Sequence, residues 1–293
     1  MHKMYGGDIM ADIGLVLGGG GAKGAYEMGA CKALSKTGLH NSIRAYSGTS
    51  IGAINCALLQ LMNYEKSAEV WLGRNIEKIF VSGGINYKEI LDIIMNFRKG
   101  KKNDFDGIFS RDGLINFFDK IHIYDLENMK NDLYVTVVDI SDISENMRII
   151  KPALDWYDGK KTGITKYINL KNTECDYIVK VLLATSAMPV IYPPVEIDGC
   201  FYVDGGINDN LPINPIYQRG YRRIIAISTD RINKYSLARK FPSAEILLVH
   251  PSGYLGNLFN GTLNFNRNKI RQIFKLGYND AMNAIKRSNF LNY

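Results

Sequence analysis

Two short stretches of the chain carry residues arranged for nucleophilic chemistry. The first is Gly48-Thr49-Ser50-Ile51-Gly52, where a serine stands between two glycines. A G-x-S-x-G pentapeptide at a strand-to-helix junction forms a sharp elbow that projects the serine hydroxyl from the strand end. Residues 43–47 read as a strand and residues 51–62 as an apolar helix, so the pentapeptide lies at such a junction. Ser50 is therefore the candidate nucleophile, against the plainer reading of a helix N-cap. The second stretch is Gly18-Gly19-Gly20-Gly21-Ala22-Lys23-Gly24, between an apolar strand at 12–17 and an amphipathic helix at 25–36. Glycines leave backbone N–H groups uncovered and the following helix adds its positive end, so this turn can hold an anion.

Which anion depends on what surrounds the turn. Gly19-x-Gly21-x-x-Gly24 satisfies the dinucleotide-binding pattern. That reading needs an acidic residue closing the second strand, which here ends in Tyr46-Ser47-Gly48-Thr49-Ser50. A P-loop is excluded because Lys23 is followed by Gly24 and not by Ser or Thr. The other candidate is the oxyanion of an acyl-transfer intermediate, formed beside Ser50.

A serine nucleophile needs a base. The four histidines are His2, His40, His122 and His250. His250 follows a strand at 245–249, so a Ser50–Asp–His250 triad stays open on spacing alone. An alternative base is Asp204, which ends the strand 201–204 just before Gly205-Gly206. Those glycines permit close approach of another backbone segment.

The chain resembles the patatin-like phospholipases over most of its length. Three blocks carry the resemblance: Gly19-Gly20-Gly21-Ala22-Lys23-Gly24, Gly48-Thr49-Ser50-Ile51-Gly52 and Asp204-Gly205-Gly206. A fourth, Ala184-Thr185-Ser186-Ala187-Met188-Pro189-Val190-Ile191-Tyr192-Pro193-Pro194, is similar to the family's approach to its aspartate strand. The resemblance implies a Ser50–Asp204 dyad without histidine and an oxyanion hole from the backbone of Gly19, Gly20 and Gly21. Lys23 stands where the family has Arg or Lys and would support that turn. The implied substrate is a phospholipid or lysophospholipid ester, with no metal and no cofactor. Asp-Gly-Gly replaces the Asp-Gly-Ala of some members, which leaves the carboxylate in place.

The elements that must hold these residues follow a simple order. Two successive strand–turn–helix units argue for a mainly parallel sheet with helices on both faces. Further strands are expected at 132–139, 146–151, 201–204, 223–228 and 245–249, and a closing amphipathic helix at 268–287. Residues 65–119 read as mostly helical, with a polar loop at 99–106 and Asp112 as a helix N-cap. No repeat or Pro/Gly/Ser-rich linker divides the chain. The expectation is one three-layer α/β domain over residues 11–293, preceded by a leader at 1–10.

Composition limits the partners. Hydrophobic residues make up 46% and charged residues 22%, which fits a globular domain with a sizeable core. The 36 Lys+Arg against 29 Asp+Glu favour an anionic surface as partner. No arginine-rich run interleaved with aromatics points to nucleic acid, which leaves lipid. Cys31, Cys56, Cys175 and Cys200 form no framework and suit a reduced, cytoplasmic setting. Apolar residues at 90–97 followed by Arg98, Lys99, Lys101 and Lys102 are a candidate cap or peripheral membrane contact over 90–102. The alternative there is a core helix running into a solvated basic loop.

Overall fold

The computed structural model describes residues 12–74, 76–80, 96, 110–189 and 191–291. One eight-stranded sheet organises the chain, built from β1 (Ile13–Leu17), β2 (Ile43–Thr49), β3 (Asp132–Asp139), β4 (Ile164–Asn169), β5 (Val195–Ile197), β6 (Cys200–Asp204), β7 (Arg223–Ile227) and β8 (Glu245–Val249). Strands pair in the order β5-β6-β3-β2-β1-β7-β8, with β4 on β3 as a branch. Five strands, β3, β2, β1, β7 and β8, run parallel, while β4, β5 and β6 join in antiparallel fashion.

The described helices are α1 (Gly24–Lys36), α2 (Ile51–Leu61), α3 (Tyr64–Leu72), α4 (Ile76–Phe80), α5 (Asp112–Lys120), α6 (Ile150–Tyr157), α7 (Cys175–Thr185), α8 (Ile213–Gln218), α9 (Lys234–Lys240) and α10 (Arg267–Lys286). Alternation along β1 explains why helices cover both faces. Ile13, Leu15 and Leu17 point into a large core shared with α1, α2 and α10, and Val16 points into a smaller one with Ile213, Ile216 and Phe241. A strand buried on both sides is what a parallel sheet between two helical layers requires. The three-layer, mainly parallel α/β arrangement is the expected one.

Several local expectations need correction. Residues 146–151 are no strand: a short 3-10 turn over Glu145–Met147 leads into α6. Ile150, Ala153 and Leu154 sit at helical spacing there, and Pro152 falls in the first turn, where its missing N–H breaks no helical bond. Asp112 is the first residue of α5 and Arg111 its N-cap, while the Ser110 hydroxyl accepts the Asp112 amide. β4 and β5 go beyond the expected strands. β4 is half-exposed and carries Thr165, Lys166 and Asn169, and β5 is three residues long, so neither has a clear apolar alternation. The 90–102 segment lies outside the described residues apart from Asn96, as do residues 1–11. No described helix is long and apolar enough to cross a membrane.

Candidate active site

The Gly48–Gly52 pentapeptide forms a tight elbow. β2 ends at Thr49, α2 starts at Ile51, and Ser50 between them has φ 55° and ψ −127°. A side-chain residue in such a conformation costs on the order of 1–3 kcal/mol and persists only when its surroundings fix it. The fixing contacts are explicit. The Ser50 amide donates to the Thr185 hydroxyl at 2.8 Å, and that hydroxyl donates to the Thr136 carbonyl at 2.6 Å. The Ser50 carbonyl accepts the Ala53 amide at 3.0 Å. A Cβ on Gly48 would lie 2.5 Å from the Ala53 nitrogen, and one on Gly52 would run into the Gly18 carbonyl. Both glycines are therefore required by close approach.

β3 brings Asp204 to this elbow. β4 occupies one edge of β3 over residues 134–139, so β2 and β6 must share the other edge, one after the other. β2 pairs as far as Thr49 opposite Thr136, and β6 begins with Asp204 opposite Val137. The last residue of β2 and the last of β6 thus meet across neighbouring positions of one strand. The Asp204 carboxyl accepts the Gly206 amide at 2.7 Å and lines the same cavity as Ser50. Asp204 is only 5% exposed. Burial pushes its pKa up to about 6, against the opposing pull of the nearby Ser50 side chain and the Gly206 amide.

The glycine turn lies against the same serine. A Cβ on Gly19 would sit 3.2 Å from the Ser50 Cβ. Gly20 and Gly21 have φ of 151° and 55°, the left-handed region that favours glycine. Of the three glycines grouped as an oxyanion hole, Gly19 has its amide engaged, donating at 3.1 Å to both the backbone and the side-chain oxygen of Asn210. Its carbonyl accepts the Thr229 hydroxyl at 2.5 Å. The Gly20 and Gly21 amides have no hydrogen-bond partner among the described residues. Lys23 is nearly buried beside the turn, with its ammonium 3.6 Å from Asp230.

Sequence reasoning missed Asn210, Thr185 and Thr229, which hold the turn and the elbow in place. Thr185 falls within a recognised block and Asn210 only six positions beyond Asp204, yet a polar side chain next to a motif carries no signal of its partner. His250 is not brought to the site. It follows β8, which is separated from β2 by β1 and β7, about 14 Å at ordinary strand spacing. His250 Nδ1 is buried without a partner among the described residues.

Ser50 borders two cavities of different character. One, of about 910 Å³ including its open mouth, is lined by Ser50, Asp204, Lys23, Asp230, Asn210 and Trp156 among others. The other, of about 510 Å³ including its open mouth but with only about 50 Å³ open to a water-sized molecule, is mostly apolar and includes Ile54, Leu114, Ile191, Leu263 and Phe265. No cluster of His, Cys, Asp or Glu suited to a metal occurs among the described residues. The four cysteines are unpaired.

Comparison with known proteins supplies the chain's family and its likeness of fold. Lysophospholipase NTE1 of Candida albicans is 26% identical over 229 residues, 75% of this chain. The protein of the same name from Cryptococcus neoformans is 26% identical over 231 residues, 76% of the chain. The chain spans only 13% and 12% of those two relatives' own lengths. Among solved structures, VipD from Legionella pneumophila matches with a TM-score of 0.55 at 14% identity, covering 94% of this chain and 67% of that one, a likeness of fold. The patatin-like phospholipase family model matches residues 15–217, and the chain belongs to that family.

Proposed function

We propose that the chain hydrolyses fatty-acyl esters of phospholipids or lysophospholipids by two-step acyl transfer. The observation that carries this reading is that Ser50, on a strained elbow, and Asp204 come together at two strand ends on β3 and line one cavity, with an apolar cavity on the other side of Ser50. The acyl chain enters the apolar cavity and the polar remainder of the lipid stays on the Lys23–Asp230 side. Asp204 takes the Ser50 proton as the hydroxyl oxygen attacks the ester carbonyl. The Gly20 and Gly21 amides receive the oxyanion, each such donor supplying about 2.7–4 kcal/mol of transition-state stabilisation. Collapse of the tetrahedral intermediate breaks the ester C–O bond, and the departing alkoxide takes the proton from Asp204. Water, deprotonated by Asp204, then attacks the acyl-serine. Collapse returns the proton to Ser50 and releases the fatty acid. Gly19 acts here through its backbone ties to Asn210, which hold the turn, and Lys23 supports the turn beside Asp230.

The NTE1 relatives are named lysophospholipases, which supports a lysophospholipid among the substrates. The net charge of +7 supports peripheral contact with anionic lipid at a cytoplasmic surface. The test is a panel of phospholipids, lysophospholipids and neutral esters offered to wild type and to Ser50→Ala. Release of fatty acid by wild type only is expected; no cleavage of any ester by wild type overturns the reading.

A further inference from the structure

Behind the glycine turn lies a carboxyl that acyl transfer does not use. Glu27, on the first turn of α1, is 0% exposed. Asn55, on the second turn of α2, donates to Glu27 Oε2 at 2.8 Å and to the Gly24 carbonyl at 3.2 Å. The Asn55 oxygen in turn accepts the indole N–H of Trp71 on α3 at 2.8 Å. All of the Asn55 amide is thereby engaged, which fixes its orientation. Glu27 Oε1 finds no hydrogen-bond partner among the described residues.

No lysine or arginine is paired with Glu27 among the described residues. Burial lifts its pKa well above the usual carboxylate range, against the smaller pull of Asn55 and the Gly18 amide. In the structure Oε2 acts as an acceptor, from the Asn55 amide. The location of Glu27 is informative. α1 begins where the glycine turn ends, and α2 begins at Ser50. The two helix starts are in close contact, since a Cβ on Gly24 would come within 2.7 Å of the Ile51 side chain.

We propose that Glu27 is a positioning residue for acyl transfer: through Asn55 it ties the start of α1 to the start of α2 and so holds the glycine turn at its working distance from Ser50. The inference rests on the Ser50–Asp204 reading above. Its role is that of a hydrogen-bond acceptor for Asn55, so an amide of the same shape can replace it. A charge-based role would not tolerate that exchange.

The test compares wild type, Glu27→Gln and Glu27→Leu in steady-state hydrolysis of the best ester from the panel, with thermal unfolding of each. Glu27→Gln is expected to stay within about threefold of wild type in kcat, and Glu27→Leu to lose about tenfold or more in kcat with KM little changed. Trp71→Phe, which removes the donor to Asn55 and keeps a smaller aromatic ring, serves if Glu27→Leu does not fold, and should likewise lower kcat and spare KM. Unchanged kcat in the folded Leu or Phe variant overturns the proposal, as does a Gln variant as impaired as Leu. In those cases wild-type hydrolysis abolished by Ser50→Ala leaves the acyl-transfer reading standing. An inactive wild type removes both.

Discussion

Ser50 and Asp204 meet because β3 holds β2 and β6 in line on one of its edges, with Thr49 opposite Thr136 and Asp204 opposite Val137. No loop is needed to carry the aspartate to the serine. Both are ends of strands on a common rigid partner, and such placement would keep the proposed nucleophile and base in register.

The pH dependence follows from this placement. As a base, Asp204 must be ionised, and burial has lifted its pKa to about 6. With Ser50→Ala as the blank, kcat/KM for a neutral ester should rise through about pH 6 and level off above it. A profile flat down to pH 4.5, a figure about 1.5 units below the expected pKa, would remove Asp204 as the base.

Stability runs the opposite way to activity. A carboxyl whose folded-state pKa is raised contributes fully only below its unfolded value near 3.8, and that contribution is lost as pH rises through about 6. At pH 7 the buried ionised form costs about 3 kcal/mol, from a shift of about two units. Asp204→Asn should abolish turnover yet resist urea better than wild type at pH 7, by about 1–3 kcal/mol, with the gap closing toward pH 4. Urea titrations at the two pH values measure this; equal stability at pH 7 would show that the carboxylate is well accommodated.

What the sequence reveals of the site divides along a physical line. Ser50, Gly48 and Gly52 are legible because a sharp elbow is decided within five residues, where glycine and serine have their own conformational signatures. Asp204 is legible through the glycines that follow it. The helix α6 is misread because Met147, Ile149 and Ile150 form an apolar run too short for periodicity to separate strand from helix. Asn210 and Thr185 are invisible for another reason: their partners, Gly19 and Ser50, lie 191 and 135 positions away. Such contacts exist only after the sheet has formed. Glu27 is hidden by its helix, where a glutamate is unremarkable until burial is known.

Thr185 tests how much of the elbow depends on such a contact. Thr185→Val keeps the shape but removes both the acceptor for the Ser50 amide and the donor to Thr136. Leaving a buried amide unpaired costs about 1–3 kcal/mol, so the melting temperature should fall. Because Ser50 is strained, kcat should fall as well, by about tenfold or more, with KM nearly constant. A variant that melts lower but turns over like wild type would confine Thr185 to stability.

Asn210 probes the glycine turn from the other side. Its backbone and side-chain oxygens both accept the Gly19 amide. Asn210→Ala removes only the side-chain contact and leaves the carbonyl bond in place. The expected loss in kcat is moderate, about three- to thirtyfold, with little change in KM. Steady-state kinetics on one ester measures it, and a change confined to KM would place Asn210 in substrate binding.

Under the proposed reaction, the acyl group enters the apolar cavity, which would then set the length of chain accepted. Leu114 reaches it from α5, while Leu263 and Phe265 line it from the segment before α10. Leu114 is only 4% exposed, so a larger side chain there must project partly into the cavity or strain the core. Leu114→Phe should lower activity on palmitoyl esters more than on butyryl esters, shifting the preference toward short chains. Phe265→Ala enlarges the space and should shift it the other way, with some loss of stability from the cavity created. A series of p-nitrophenyl esters from butyrate to palmitate separates the two variants. If both lose activity equally on every chain length, the acyl group does not occupy this cavity, and the larger polar cavity beside Lys23 and Asp230 must hold it instead.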